Sequence, residues 1–289
     1  VLLQNVVTGL LMGSVYGLVA FGLSLLFGVM KIVNFAHGAV LMIGMYVVVS
    51  LTGLVGFDPY LSAAIGTPML FVIGYLLGLS VEPILMRERS TGPISVLLWT
   101  LGFSLFAINI VLIIFGADYR VVESFVSGKT LELAGVIISL PRLGAAIVAV
   151  VTFVGLYLLL TRTDVGKAMR ATSQDMEAAR MLGIDERKMC RMAFAISSAT
   201  TAVAAGVLVP FYYVSPTVGD VFQLKSFVIV VLGGIGTISG CLLGGLIVGL
   251  VESLGAQYLN ATYAQMVVFL VFVVILLVRP MGLLGKERE

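Results

Sequence analysis

The chain has 289 residues, of which 60% are hydrophobic and only 11% charged, with a formal net charge of +2 and a mean hydropathy of +1.14. A soluble globular chain carries about 25% charge, so this composition excludes an ordinary water-covered surface and leaves lipid as the solvent for much of it. Two cysteines, Cys190 and Cys241, have no spacing that suggests a disulfide or metal framework.

A span needs roughly 20 apolar residues at about 1.5 Å of rise each. In chain order the apolar runs are 5–29, 37–56, 61–81, 96–116, 143–161, 192–213, 219–234, 238–255 and 263–279. An eight-span count follows if 226–253 is one long helix. The positive-inside rule favours nine. With the N-terminus outside, the segments 30–36, 82–95, 162–191, 235–237 and 279–289 lie near the inner face. They carry Lys31, Arg87, Arg89, Arg162, Lys167, Arg170, Arg180, Arg187, Lys188, Arg191, Arg279, Lys286 and Arg288, 13 of the 17 basic residues. Arg120, Lys129, Arg142 and Lys225 fall to the outer side. The first span starts at the beginning of the chain without a basic flank or cleavage site, so no removed signal peptide is expected. The expected fold is all-α: a polytopic transmembrane helix bundle of about eight to nine spans, forming a single transmembrane domain over 1–289.

Two segments interrupt the apolar pattern. Ile32-Val33-Asn34-Phe35-Ala36-His37-Gly38 contains the chain's single histidine. Asn34 suits a cap or turn, Gly38 a bend or close backbone approach, and His37 either a locally bonded interior site or a place on a pathway. The second is Gly233-Gly234-Ile235-Gly236-Thr237-Ile238-Ser239-Gly240. Broken helices expose backbone groups that can bind a polar solute, whereas the simpler reading is a tight turn at the inner face. Both breaks precede a new apolar segment, which suggests equivalent positions in an internal repeat. Glycines at small-xxx-small spacing (Gly9, Gly13 and Gly17; Gly74 and Gly78; Gly240 and Gly244; Gly245 and Gly249) predict close helix packing. Lys225 and Glu252 are placed toward the outer ends of their spans. There is no row of acids for proton transfer and no arginine ladder.

The inner loop from Arg162 to Arg191 holds seven basic and five acidic residues. Asp164 and Asp175 are expected to cap short helices. Residues 174–182 favour a helix that Gly183 ends at the position where positive φ is cheap, with Ile184 folding back. Met176, Ala179 and Leu182 are expected on its apolar face, and Glu177 and Arg180 on its charged face. Such a helix suits either a solvated inner loop lying along the membrane interface or a knob that docks to a cytoplasmic protein.

This loop carries a resemblance. Glu177-Ala178-Ala179, three residues, then Gly183 resembles the coupling-loop pattern of bacterial ABC importer permeases. The stretch GKAMRATSQDMEAARMLGI, 166–184, resembles the permeases for branched-chain amino acids. So do GLSLLFGVMKIVNFAHGAVLMIG at 22–44, VVLGGIGTISGCLLGG at 230–245 and RPMGLLG at 279–285. Ser24, where Asn is common, and Cys241, where a smaller residue is usual, depart from the pattern. The resemblance implies an inner-membrane permease subunit that is not itself an enzyme. It implies import of leucine, isoleucine and valine, with urea or short-chain amides as the alternative within similar systems. The partners implied are a homologous second permease, two cytoplasmic ATPases that bind ATP and Mg, an external solute-binding protein and the bilayer, with no cofactor on this chain and no nucleic acid. Glu177, Ala178, Ala179, Arg180 and Gly183 would couple to the ATPases. Asn34, His37 and Gly38 would lie by the translocation path, and Gly233, Gly234, Gly236 and Thr237 would shape a helix break. A stand-alone channel or secondary carrier is the reading of a different class. A membrane enzyme would need a nucleophile with its base or a carboxylate cluster, which the sequence lacks.

Overall fold

A computed structural model describes residues 2–87, 94–133, 135–279 and 281–285. Of the basic residues assigned to the inner face, Arg89, Lys286 and Arg288 lie outside the described residues, as does Pro280 of the last sequence block. The helices are α1 (Leu2–Met30), α2 (His37–Val55), α3 (Pro59–Arg87), α4 (Ile94–Phe115), α5 (Leu140–Arg162), α6 (Asp164–Gln174), α7 (Met176–Met181), α8 (Glu186–Leu208), α9 (Val218–Gly233), α10 (Ile238–Tyr258) and α11 (Ala261–Val278). Each of the nine expected apolar runs falls on one of them. Seven (α1 to α5, α8 and α10) are long and apolar enough to cross a membrane by length and composition, while the apolar stretch of α11 and the 16 residues of α9 are shorter. The bundle is a multi-pass membrane fold.

One feature was not anticipated from the sequence. Strands β1 (Thr130–Leu133) and β2 (Val136–Ser139) form an antiparallel hairpin in the connection between α4 and α5. Ile137 N–H donates to Gln4 Oε1 at 2.8 Å, which ties the hairpin to the start of α1. The hairpin and α7 therefore mark opposite ends of the bundle.

Glycine brings the helices together without a hydrophobic driving force, as lipid requires. The α1 stripe meets the α10 stripe: a Cβ at Gly13 would stand 2.7 Å from Gly245 O, and one at Gly9 2.9 Å from Gly249 O. Gly74 and Gly78 of α3 are pressed in the same way against Ser198 and Arg191 of α8. These stripes are interior packing seams of the one chain.

The packing is pseudo-symmetric. α1 packs on α10 and α9, and α8 packs on α3 and α2; α9 pairs with α10, and α2 with α3. Exchanging α1 with α8, α2 with α9 and α3 with α10 maps each contact onto another. α1 runs toward the α7 end and α8 runs away from it, so the repeat is inverted in topology. This corrects the equivalence expected from the sequence. The counterpart of the break at 31–36 is the partly buried, non-helical segment 209–217, and the glycine turn after α9 corresponds to the α2–α3 connection. Short α9 follows from the same arrangement, because it starts part-way through the bundle, as α2 does.

Candidate functional site

The first site is the interior junction where α2 and α9 begin. His37 Nε2 lies 2.9 Å from Val19 O. Val19 is about eleven residues before the end of α1, which at ~1.5 Å per residue places His37 about 16 Å inside the bundle. The sequence placed 30–36 near one face. Instead the chain leaves α1 at Met30 and rises back through the interior before α2 starts. Non-helical backbone at that depth needs partners. Asn34 Oδ1 accepts from Ala36 N–H at 2.9 Å, and Thr100 Oγ1 of α4 accepts from Phe35 N–H at 3.2 Å. Gln223 of α9 serves both sides of the break: its Oε1 accepts from Gly38 N–H, and its Nε2 donates to Asn34 O at 3.2 Å. On the other side Ser197 Oγ donates to Gly22 O at 2.7 Å, and Thr201 Oγ1 stands 3.5 Å from His37 Nδ1. Asn34 and His37 are buried. In the matching segment 209–217, Val214 is satisfied by a bridge to Arg120, with Arg120 N–H to Val214 O at 2.9 Å and the reverse bond at 2.8 Å.

The sequence singled out Asn34, His37 and Gly38, and the fold brings all three together. Gln223, Ser197 and Thr201 were missed. The only hint was a polar amide in an apolar run, with nothing to say which backbone it would face.

Gly233, Gly234, Gly236 and Thr237 form a separate place. Gly28 of α1 packs against Gly236, a Cβ at Gly28 standing 3.1 Å from its Cα, so this turn sits at the α7 end and not at the depth of His37. Gly234 and Gly236 have φ of 104° and 78°. Thr237 Oγ1 donates to Gly234 O at 2.7 Å, closing the turn. The backbone of Leu283 bonds to Leu232 O at 2.8 Å, bringing the end of the chain against it.

The second site is the elbow of α6 and α7. Thr163, not Asp164, caps α6, its hydroxyl accepting from Gly166 N–H at 3.1 Å, while Asp164 occupies the first turn. Asp175 caps α7 as expected, accepting from Glu177 and Ala178 N–H at 2.9 and 3.0 Å. At the other end Gly183 N–H reaches Arg180 O at 3.0 Å and Ile184 N–H reaches Ala179 O at 3.1 Å, a Schellman closure with Gly183 at φ 81°. Ala179 is buried and Met176 packs against the core. Leu182 is not on that face: Met181 and Leu182 stand 87% and 80% exposed at the tip. Leu182 is the C-cap, its N–H still bonding Ala178 O at 3.2 Å, and at the tip of the elbow no other described element lies beside its side chain. A cleft lined by Met86, Arg180, Ile184, Asp185 and Arg187 runs along its base. Beneath it Glu82 of α3, 7% exposed, pairs with Arg191 and, at 3.6 Å, with Arg187 of α8.

The family model described as branched-chain amino acid transport system / permease component matches residues 5–276. The chain belongs to this family. The high-affinity branched-chain amino acid transport system permease protein BraD of Pseudomonas aeruginosa is 32% identical, covering 99% of this chain and 96% of the relative. LivH of Escherichia coli K12, described in the same words, is 33% identical over 99% of this chain and 96% of its own. A probable branched-chain amino acid transport permease protein LivH of Methanocaldococcus jannaschii is 29% identical over 93% of this chain and 88% of its own. No solved structure matches. Within this permease family the chain is a membrane-spanning component, and among the described residues no group of three or more His, Cys, Asp or Glu side chains is placed to hold a metal ion.

Proposed function

We propose that this permease moves branched-chain amino acids (leucine, isoleucine and valine) across a bacterial inner membrane as one subunit of an ATP-driven importer. The observation that carries the reading is the family match along 5–276, with relatives named for that transport covering nearly the whole chain. These favour branched-chain amino acids over urea or short amides. A second, homologous permease, two cytoplasmic ATPases and an external binding protein complete the assembly.

The α7 end faces the cytoplasm and the hairpin end faces outward. Lys31, Arg87, Arg162, Lys167, Arg170, Arg180, Arg187, Lys188, Arg191 and Arg279 lie at or near the α7 end, which supports this orientation. Within 162–191, Glu177, Ala178, Ala179, Arg180 and Gly183 form the coupling element. Its exposed Met181 and Leu182 enter an ATPase groove, and the Glu82–Arg191 pair transmits the movement to α3 and α8. Asn34, His37 and Gly38 stand by the path, and the turn at Gly233, Gly234, Gly236 and Thr237 pivots α9 against α10.

The test is isotope uptake by proteoliposomes holding the whole complex with its binding protein. Leucine and valine uptake that depends on ATP, with no urea uptake, is expected. Gly183→Glu should abolish uptake while the permease still inserts. Absence of leucine, isoleucine and valine uptake by the wild-type complex sinks the substrate reading, and normal uptake by Gly183→Glu sinks the coupling role.

A further inference from the structure

The sequence put Lys225 and Glu252 near the outer surface, in separate spans. The fold joins them inside the membrane. Lys225 Nζ lies 2.7 and 2.8 Å from the two Glu252 oxygens and 3.2 Å from the Tyr16 hydroxyl, and it sits 4.5 Å from the Tyr16 ring centroid. Tyr16 is at the middle of α1, with 14 residues on either side of it. Ser253, beside Glu252, donates to Asn5 O at 2.8 Å, and Gly249 packs on Gly9, so the pair lies within the outer half of the bundle, about two turns in from its hairpin end.

An ion pair at that depth is expensive if lipid reaches it. Yet the pair is not sealed: the Lys225 and Glu252 side chains are 12% and 24% exposed. They open into a cleft of about 90 Å³ between α9, α10 and α11, walled by Leu224, Val228, Val268 and Phe269, with Gln265 at its edge. One turn before Leu224, on the same side of α9, Asp220 is also exposed. Exposed carboxylate and paired charges on one face of a membrane helix require water or protein in front of it.

We propose that Lys225 and Glu252 form a transit site for the charged backbone of a zwitterionic amino acid whose apolar side chain lies in the adjoining cleft. The proposal rests on the importer reading above and narrows it to a site. One ammonium and one carboxylate, side by side next to an apolar wall, are complementary to one carboxylate, one ammonium and a hydrocarbon side chain. Breaking the pair alone would strand two charges. When a zwitterion enters, Lys225 takes its carboxylate and Glu252 its ammonium, so each charge exchanges one partner for another. Tyr16 holds the ammonium of Lys225 in place during the exchange by its hydroxyl and ring face. A neutral solute such as urea offers neither charge and cannot open the pair.

The complete complex in proteoliposomes tests this. Wild-type uptake of leucine, isoleucine and valine is measured first, and its absence overturns the importer reading itself. Given wild-type uptake, Lys225→Met and Glu252→Gln are expected to lower leucine uptake by about tenfold or more, the scale of a lost charge-assisted bond. The double exchange Lys225→Glu with Glu252→Lys should recover the thermal stability of the permease but not its uptake, because the charges then face the cleft in the wrong order. Recovery of both would mean a purely structural pair and would overturn the proposal, as would single variants that transport at the wild-type rate. Leu224→Trp changes an exposed wall residue and leaves the pair intact. It should reduce leucine uptake more than alanine uptake, and an equal effect on both counts against the cleft.

Discussion

Gly38 and Gly219 meet backbone to backbone where α2 and α9 begin, and each lacks room for a Cβ because the other's carbonyl fills it. The contact is reciprocal, so it marks the point about which the two halves of the chain are related. Both helices start there, inside the bundle, and two partly buried non-helical segments lead into them.

Gly38→Val and Gly219→Val should each destabilise the permease, because overpacking costs about 1–3 kcal/mol even where neighbours can yield, and here the neighbour is backbone. Thermal unfolding in detergent should show a lower midpoint, with loss of uptake. Gly53→Ala, on α2 where a Cβ meets nothing within 4 Å, should unfold at or slightly above the wild-type temperature. Equal melting of all three variants would remove the contact from the fold's requirements.

Gln223→Leu is nearly the same size but removes both bonds to the break at 34–38. A buried donor and acceptor left unmet cost about 1–3 kcal/mol each. Hydrogen exchange should accelerate at Gly38 and Ala36 more than at Met45, deeper in α2. Unchanged exchange at Gly38 would show that another group satisfies it.

Met181→Ser with Leu182→Ser alters two side chains that touch little of this chain. Insertion and melting should stay at wild-type values while co-purification of the ATPases falls severalfold. Gly183→Asn, a residue that tolerates positive φ, should retain most uptake. Full ATPase retention by the double variant would move the docking contact elsewhere on the elbow.

Glu82 offers a graded test. Arg191 is the more enclosed of its two partners, with side-chain exposure of 29% against 63% for Arg187. Arg191→Leu should lower the unfolding temperature clearly, since it leaves a buried carboxylate less compensated. Arg187→Leu should lower it little, as exposed partners contribute little. The reverse order, read by thermal unfolding, would mean that Arg187 carries the pair.

Local chemistry made much of this chain readable. Asp175 followed by Met176 to Met181 and then Gly183 carries its own start and stop, since a cap and a positive-φ terminator act within one turn. Asn34 could be read as a turn former because its side chain bonds the backbone two residues on. Gln223 could not be read as its partner, because they lie 189 positions apart and no local rule links them. The two breaks looked alike in sequence, but one is an interior passage and the other a turn at the bundle end. Only the depth of each distinguishes them.

By itself, the sequence determined that the chain lives in lipid, where its helices fall, which end of the bundle is basic and which loop forms the elbow. These follow from hydrophobicity and short-range hydrogen bonding, which act on neighbours in the chain. Tertiary structure alone decided that α1 and α8 head inverted halves, that Gly38 faces Gly219, and that Lys225 reaches Glu252. In lipid these contacts are chosen by close backbone approach and the need to satisfy every polar group, and both depend on which distant segments are brought side by side.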